Sequence, residues 1–118
     1  MKPTVLVVDD NTEIRTILRE SLTDSFNVVE AGNGQLGLTE VMVGDHDIDL
    51  VVTDLNMPES DGFGLIENLP DELRYIIISG YLKLPHYSGA LKKLKPAAVF
   101  EKPFEIQTLR ETIAQTLS

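Results

Sequence analysis

Asp9 and Asp10, Asp54, Ser79 and Lys102 are the residues whose types and setting could do chemistry. Each closes or follows a short apolar run: "VLVVDD", "LVVTD", "IIISG" and "VFEK". One carboxylate in such a place is ordinary, so the question is whether the four segments converge. Carboxylates about 4 Å apart repel by about 4 kcal/mol at an effective dielectric near 20, and a fold keeps them together only where something offsets that. A hard divalent cation does so, and Mg2+ takes one or two carboxylates together with waters and a phosphate. Lys102 would add a fixed positive charge. A carboxylate beside Mg2+, an ammonium and a hydroxyl suits phosphoryl transfer. The Asp oxygen attacks phosphorus to form an acyl phosphate. Metal and ammonium then neutralise the equatorial oxygens, and the Ser79 hydroxyl donates to one of them. The rest of the inventory offers little. There is no cysteine, which excludes thiol, disulfide and zinc-thiolate chemistry, and His46 and His86 fall in predicted loop or weakly helical segments, where they read as surface residues.

The elements that must position these residues are legible as periodicity. Five apolar runs read as strands: 4–8, 27–31, 49–53, 74–79 and, more weakly, 97–101. The first, third and fourth are nearly unbroken, as strands covered on both faces are. Helical stripes lie between them: Ile14, Ile17, Leu18 and Leu22; Leu38, Val41 and Met42 within 35–43; Phe63, Leu65, Ile66 and Leu69 within 63–69, closed by Pro70; and Ile106, Leu109, Ile113 and Leu117. Pro85 and Gly89 interrupt 82–95, which predicts a short or irregular helix. Five β-then-α units imply a three-layer, doubly wound α/β fold with a parallel sheet, whose ligands sit at the carboxyl ends of the strands. Every residue singled out above ends or follows a strand on that edge.

Composition sets the class. A chain of 118 residues fits one domain, 1–118, and 42% hydrophobic with 25% charged residues is the balance of a globular protein. No run approaches the roughly 20 apolar residues of a membrane span. The four apolar residues ahead of Asp9 are too few for a signal-peptide core, so a cytoplasmic setting is expected. The net charge of −9 repels phosphate backbones and argues against direct nucleic-acid binding.

The four segments in this order and spacing resemble the receiver domain of two-component response regulators, of the chemotaxis-regulator kind, over essentially the whole chain. The carriers are "VLVVDDN", "VVTDLNMPESDG", "IIISG" and "EKPF". The resemblance implies a flavodoxin-like (βα)5 sheet of order 2-1-3-4-5. It implies that Asp54 accepts a phosphoryl group from a histidine kinase, a phosphotransfer protein or a small phosphodonor. Asp10, Asp54 and the backbone carbonyl of Asn56 would hold Mg2+ or Mn2+, with Asp9 acting through a water. Lys102 would pair with Asp54 and then with the phosphoryl group, Ser79 would move towards it, and the Lys102–Pro103 bond would be cis. No separate cofactor is implied. Such a domain is not an enzyme in the usual sense: it catalyses its own phosphorylation and slow dephosphorylation, and passes the change to an output domain or a downstream protein.

Two departures bear on the output. Three residues before the lysine, where many receivers carry Tyr or Phe, stands Val99, and the neighbouring Phe100 should face the other side of its strand. The broken stretch 82–95 occupies the place of the usual signalling helix. Tyr81 and Asn56 are candidates to set the acyl-phosphate lifetime, and the face formed by 81–117 is the expected output or homodimer surface. Blander readings stand beside these. Asp10 with Glu13 resembles a capping box, Asp61–Gly62 reads as a turn, and Lys92, Lys93 and Lys95 suit a helix end. The competing function is a receiver-like interaction or dimerisation module that works without phosphorylation. An aspartyl phosphatase would need a second Asp where Asn56 stands.

Overall fold

The computed structural model describes residues 2–44, 46–55, 62–80 and 93–118. Within them lie β1 (Thr4–Val8), α1 (Thr12–Leu22), β2 (Asn27–Ala31), α2 (Gly34–Val43), β3 (Leu50–Asp54), α3 (Gly62–Glu67), β4 (Arg74–Ser79), β5 (Ala98–Glu101) and α4 (Ile106–Leu117). The expected helix in 82–95 falls largely outside the described residues. All strand pairs are parallel, in the order β2-β1-β3-β4-β5. β1 and β3 are wholly buried. Alternate side chains of β1 supply the two faces of the sheet. Val5 and Val7 pack with Leu18, Leu22, Leu109 and Ile113 of α1 and α4. Leu6 and Val8 pack with Leu65 and Leu69, and with Leu38 and Val41 of α2. These are the three layers the sequence predicts.

Local differences have physical reasons. β3 begins one residue later than the apolar pattern suggests, at Leu50. Asp49 instead ties down the start of β1: its carboxylate accepts from the Thr4 amide at 2.8 Å, and its own amide donates to the Thr4 carbonyl at 2.8 Å. The N-cap of α1 is Asn11, whose side chain accepts from the amides of Glu13 and Ile14. Asp10 is thereby released from the capping box its spacing suggested. On α2 the face against the sheet is Gly34, Gly37, Leu38 and Val41, and Met42 is 61% exposed. A Cβ on Gly37 would lie 2.9 Å from Val8 Cγ2, so the small residues let the helix approach β1 and turn Met42 outward. Ile17 is likewise 45% exposed, on the rim of a groove lined also by Ile14, Phe104 and Ile106.

Candidate functional site at the carboxyl edge of the sheet

β1 and β3 are neighbours at the point where strand order reverses, the place at which open α/β sheets bind ligands. β1 hands the chain to Asp9 and Asp10, and β3 ends on Asp54 itself. One oxygen of each of the three carboxylates lies within 4.8 Å of the others. Asp9 and Asp54 are buried, whereas Asp10 is exposed. Lys102, the residue after β5, sends its Nζ to Asp9 Oδ2 at 2.8 Å and to Asp54 Oδ2 at 2.9 Å. Its amide donates to the Ser79 carbonyl at 2.9 Å, which ties the lysine to the end of β4. Ser79 is fully buried there. The Lys102–Pro103 bond is cis, as the resemblance implies.

The expected residues therefore converge, with one shift of emphasis. Lys102 bridges Asp9 and Asp54 rather than pairing with Asp54 alone. Burial pulls the Lys102 ammonium pKa down, but the hydrogen bonds and charges of Asp9 and Asp54 outweigh this and hold it above the ordinary 10.5. The lysine is fully charged at neutral pH. Three carboxylates against one ammonium leave the cluster with a formal deficit of two positive charges. The donors are all hard oxygens, two buried and one exposed, which fits a divalent cation of the Mg2+ or Mn2+ kind. Asn56, Met57, Pro58, Asp61, Tyr81, His86 and Lys92 lie outside the described residues, so the carbonyl expected of Asn56 is not placed. Val99 is 44% exposed, and Phe100 on the opposite face packs towards the core with Phe104, as the alternation of β5 requires. His46, Lys93 and Lys95 are exposed, in keeping with their surface reading.

Three further residues shape the site, and of these sequence pattern singles out only Gly62, as part of a turn. Arg15 of α1 donates from Nη1 to the Asp9 carbonyl at 2.6 Å. Glu30 of β2 holds that arginine. Gly62, at the start of α3, sits so close to β3 that a Cβ would lie 2.1 Å from the Asp54 carbonyl oxygen. A signal existed for the arginine. A cation in the opening turns of a helix runs against the dipole and calls for a specific partner.

An open parallel sheet with an acid-and-lysine cluster at its switch point defines a class of phosphate-handling α/β domains, and the comparisons narrow the class. The family model of the response regulator receiver domain matches residues 5–114. The transcriptional regulatory protein FlgR of Helicobacter pylori is 30% identical over 114 residues, covering 95% of this chain and 29% of its own length. The sensor kinase CckA of Brucella abortus is 32% identical over 124 residues, covering 97% of this chain and 12% of its own. A CheY-like response regulator receiver domain protein from Methanospirillum hungatei superposes with a TM-score of 0.88 at 25% identity, covering 99% of this chain and 94% of that one. The chain thus belongs to the response regulator receiver domain family, the phosphoacceptor module of two-component signalling. It spans less than a third of the length of these curated relatives.

Proposed function

We propose that Asp54 is the phosphoacceptor and that Asp10 and Asp54, with Asp9 behind them, hold a Mg2+ or Mn2+ ion. The observation that carries this reading is the bridge from Lys102 Nζ to both Asp9 and Asp54, with the exposed Asp10 carboxylate beside it. Asp54 is delivered by the end of a buried strand, so its carboxylate is fixed before a donor arrives. An Asp54 oxygen attacks phosphorus, the bond from phosphorus to the donor's nitrogen or oxygen breaks, and an aspartyl phosphate results. The metal supplies neutralisation of the phosphoryl oxygens when bound. Lys102, already charged and aimed at Asp54 Oδ2, follows the transferred group, and Ser79 at the end of β4 offers a hydroxyl to it. The kinase or phosphotransfer protein that donates, the output partner and slow self-dephosphorylation belong to the same reading. Val99, exposed on β5, lies on the face that would report the change.

The test is incubation with acetyl phosphate and Mg2+ followed by intact-mass measurement. The wild type should gain one phosphoryl group, lost on adding chelator before the donor. Asp54→Asn should gain none. Equal labelling of both would remove Asp54 from the role. A domain that worked as a phosphorylation-independent module would take no label at all, and the intact acid-and-lysine cluster speaks against that.

A further inference from the structure

Arg15 stands beside the acid cluster, yet among the described residues its polar contacts are the Asp9 carbonyl, Thr12 and Glu30 rather than the clustered carboxylates. Its Nη1 donates to the backbone carbonyl of Asp9 at 2.6 Å, and its Nε faces Glu30 Oε1 at 3.5 Å. Glu30 is held from its other side by Arg19 at 2.8 Å. The guanidinium is mostly buried, and the space beside it is left by Gly32, where a Cβ would sit 3.4 Å from Nη1. The other polar atoms of Asp9 are also fixed. Its amide donates to Ala31 at 3.2 Å, Oδ1 accepts from the Asn11 amide at 2.9 Å, and Oδ2 accepts from Lys102 at 2.8 Å. The Asp9 carbonyl belongs to the same rigid plane as the amide and Cα of Asp10. Holding that oxygen sets the rotation of the plane, and with it the direction in which the Asp10 side chain leaves the backbone. Asp10 is exposed.

We infer that Arg15 is a positioning residue for the cation site: it clamps the Asp9–Asp10 peptide against β2, so that the Asp10 carboxylate meets those of Asp9 and Asp54. This rests on the cation site proposed above. Charge and geometry predict opposite results. If Arg15 acted only through its charge, removing it would strengthen cation binding. If it positions Asp10, removing it weakens binding, and partners that orient metal ligands are typically worth roughly 10- to 100-fold in affinity.

The experiment is titration of metal-free protein with Mn2+, read by the free-ion electron paramagnetic resonance signal, with melting temperature measured in parallel. Wild type should bind one ion, and Asp10→Asn should bind far more weakly. Arg15→Met keeps the apolar stem and should weaken binding about tenfold. Arg15→Lys should fall between the two, because a single ammonium can reach the carbonyl but lacks the fork. Gly32→Val leaves every charge in place and crowds the guanidinium; it should weaken binding in the same direction, and it carries the test should Arg15→Met fold poorly. Arg19→Gln, which touches Glu30 but not Asp9, should bind as wild type does. Unchanged or tighter binding in both Arg15→Met and Gly32→Val would overturn the inference while the cation site stood. No binding by wild type would sink the site and the inference with it.

Discussion

Lys102 is the residue on which the edge of the sheet depends. Its ammonium separates two buried carboxylates that lie 45 residues apart in sequence, and it is brought to them by the end of β5, two strands away from β3. Removing one partner from a buried ionic cluster leaves uncompensated charge and typically costs about 3 kcal/mol or more. Lys102→Met should therefore destabilise the metal-free protein by about 3 kcal/mol in urea unfolding near neutral pH, and abolish stable phosphorylation. The pH dependence has a definite sign. A lysine whose folded pKa lies above its unfolded value of 10.5 stabilises fully below that value, and the contribution is lost as pH rises through the folded pKa. With chelator present, Lys102 should contribute no pH dependence between pH 7 and 10, and its stabilisation should fade only in more alkaline solution. A wild-type advantage over Lys102→Met that vanished between pH 8 and 9 would contradict the assignment.

At the scale of the elements, two glycines give different expectations from the same substitution. Gly37 lies inside α2 facing a valine methyl, so Gly37→Ala gains helix propensity, about 1 kcal/mol, against a 2.9 Å contact with the buried Val8 side chain that must shift to admit it. Gly62 faces backbone: the Asp54 carbonyl at 2.1 Å and Leu55 Cα at 2.9 Å from where a Cβ would be. Backbone in a buried strand cannot give way, and overpacking of this kind costs about 3 kcal/mol. Urea unfolding should show Gly62→Ala destabilised by about that much and Gly37→Ala within about 1 kcal/mol of wild type; similar values for both would show that α3 is not seated against β3. The same two positions mark where sequence reading succeeds and where it stops. Buried parallel strands announce themselves as unbroken Val and Ile runs, so β1, β3 and β4 were the plainest to read, whereas β5, whose burial alternates, was the weakest; β3 and β5 each begin one residue later than the apolar pattern suggests. Helix faces are harder when glycine does the packing. On α2, Leu38, Val41 and Met42 were expected to share the buried side; Leu38 and Val41 do, whereas close approach through Gly34 and Gly37 turns Met42 outward. Asn11 outcompeted Asp10 for the cap because it stands one residue nearer the helix, and Arg15 acts through a backbone carbonyl, so its place in the opening turns of α1 was the only mark it left in the sequence.

For the molecule as a whole, the site exists only in the assembled sheet. Asp9, Asp54 and Lys102 are separated by 45 and 48 residues and meet through β1, β3 and β5, so an unfolded chain offers scattered carboxylates and no cluster. A ligand of the folded state alone stabilises it by mass action, about 2.7 kcal/mol at 100 times its dissociation constant. Mg2+ or Mn2+ should thus raise the melting temperature by roughly 10–20 °C at that excess, given about 4–8 °C per kcal/mol for a domain near 100 residues. General screening must be separated from binding, because a chain of net charge −9 gains some stability from any salt. NaCl at matched ionic strength should give only a small fraction of the shift. Asp10→Asn provides the second control: it removes one of three mutually repelling carboxylates, so the metal-free protein should melt at or above the wild-type temperature, yet respond little to Mg2+. Equal responses of wild type and Asp10→Asn, or of Mg2+ and Na+, would mean that the three carboxylates meet at this edge without gathering a cation.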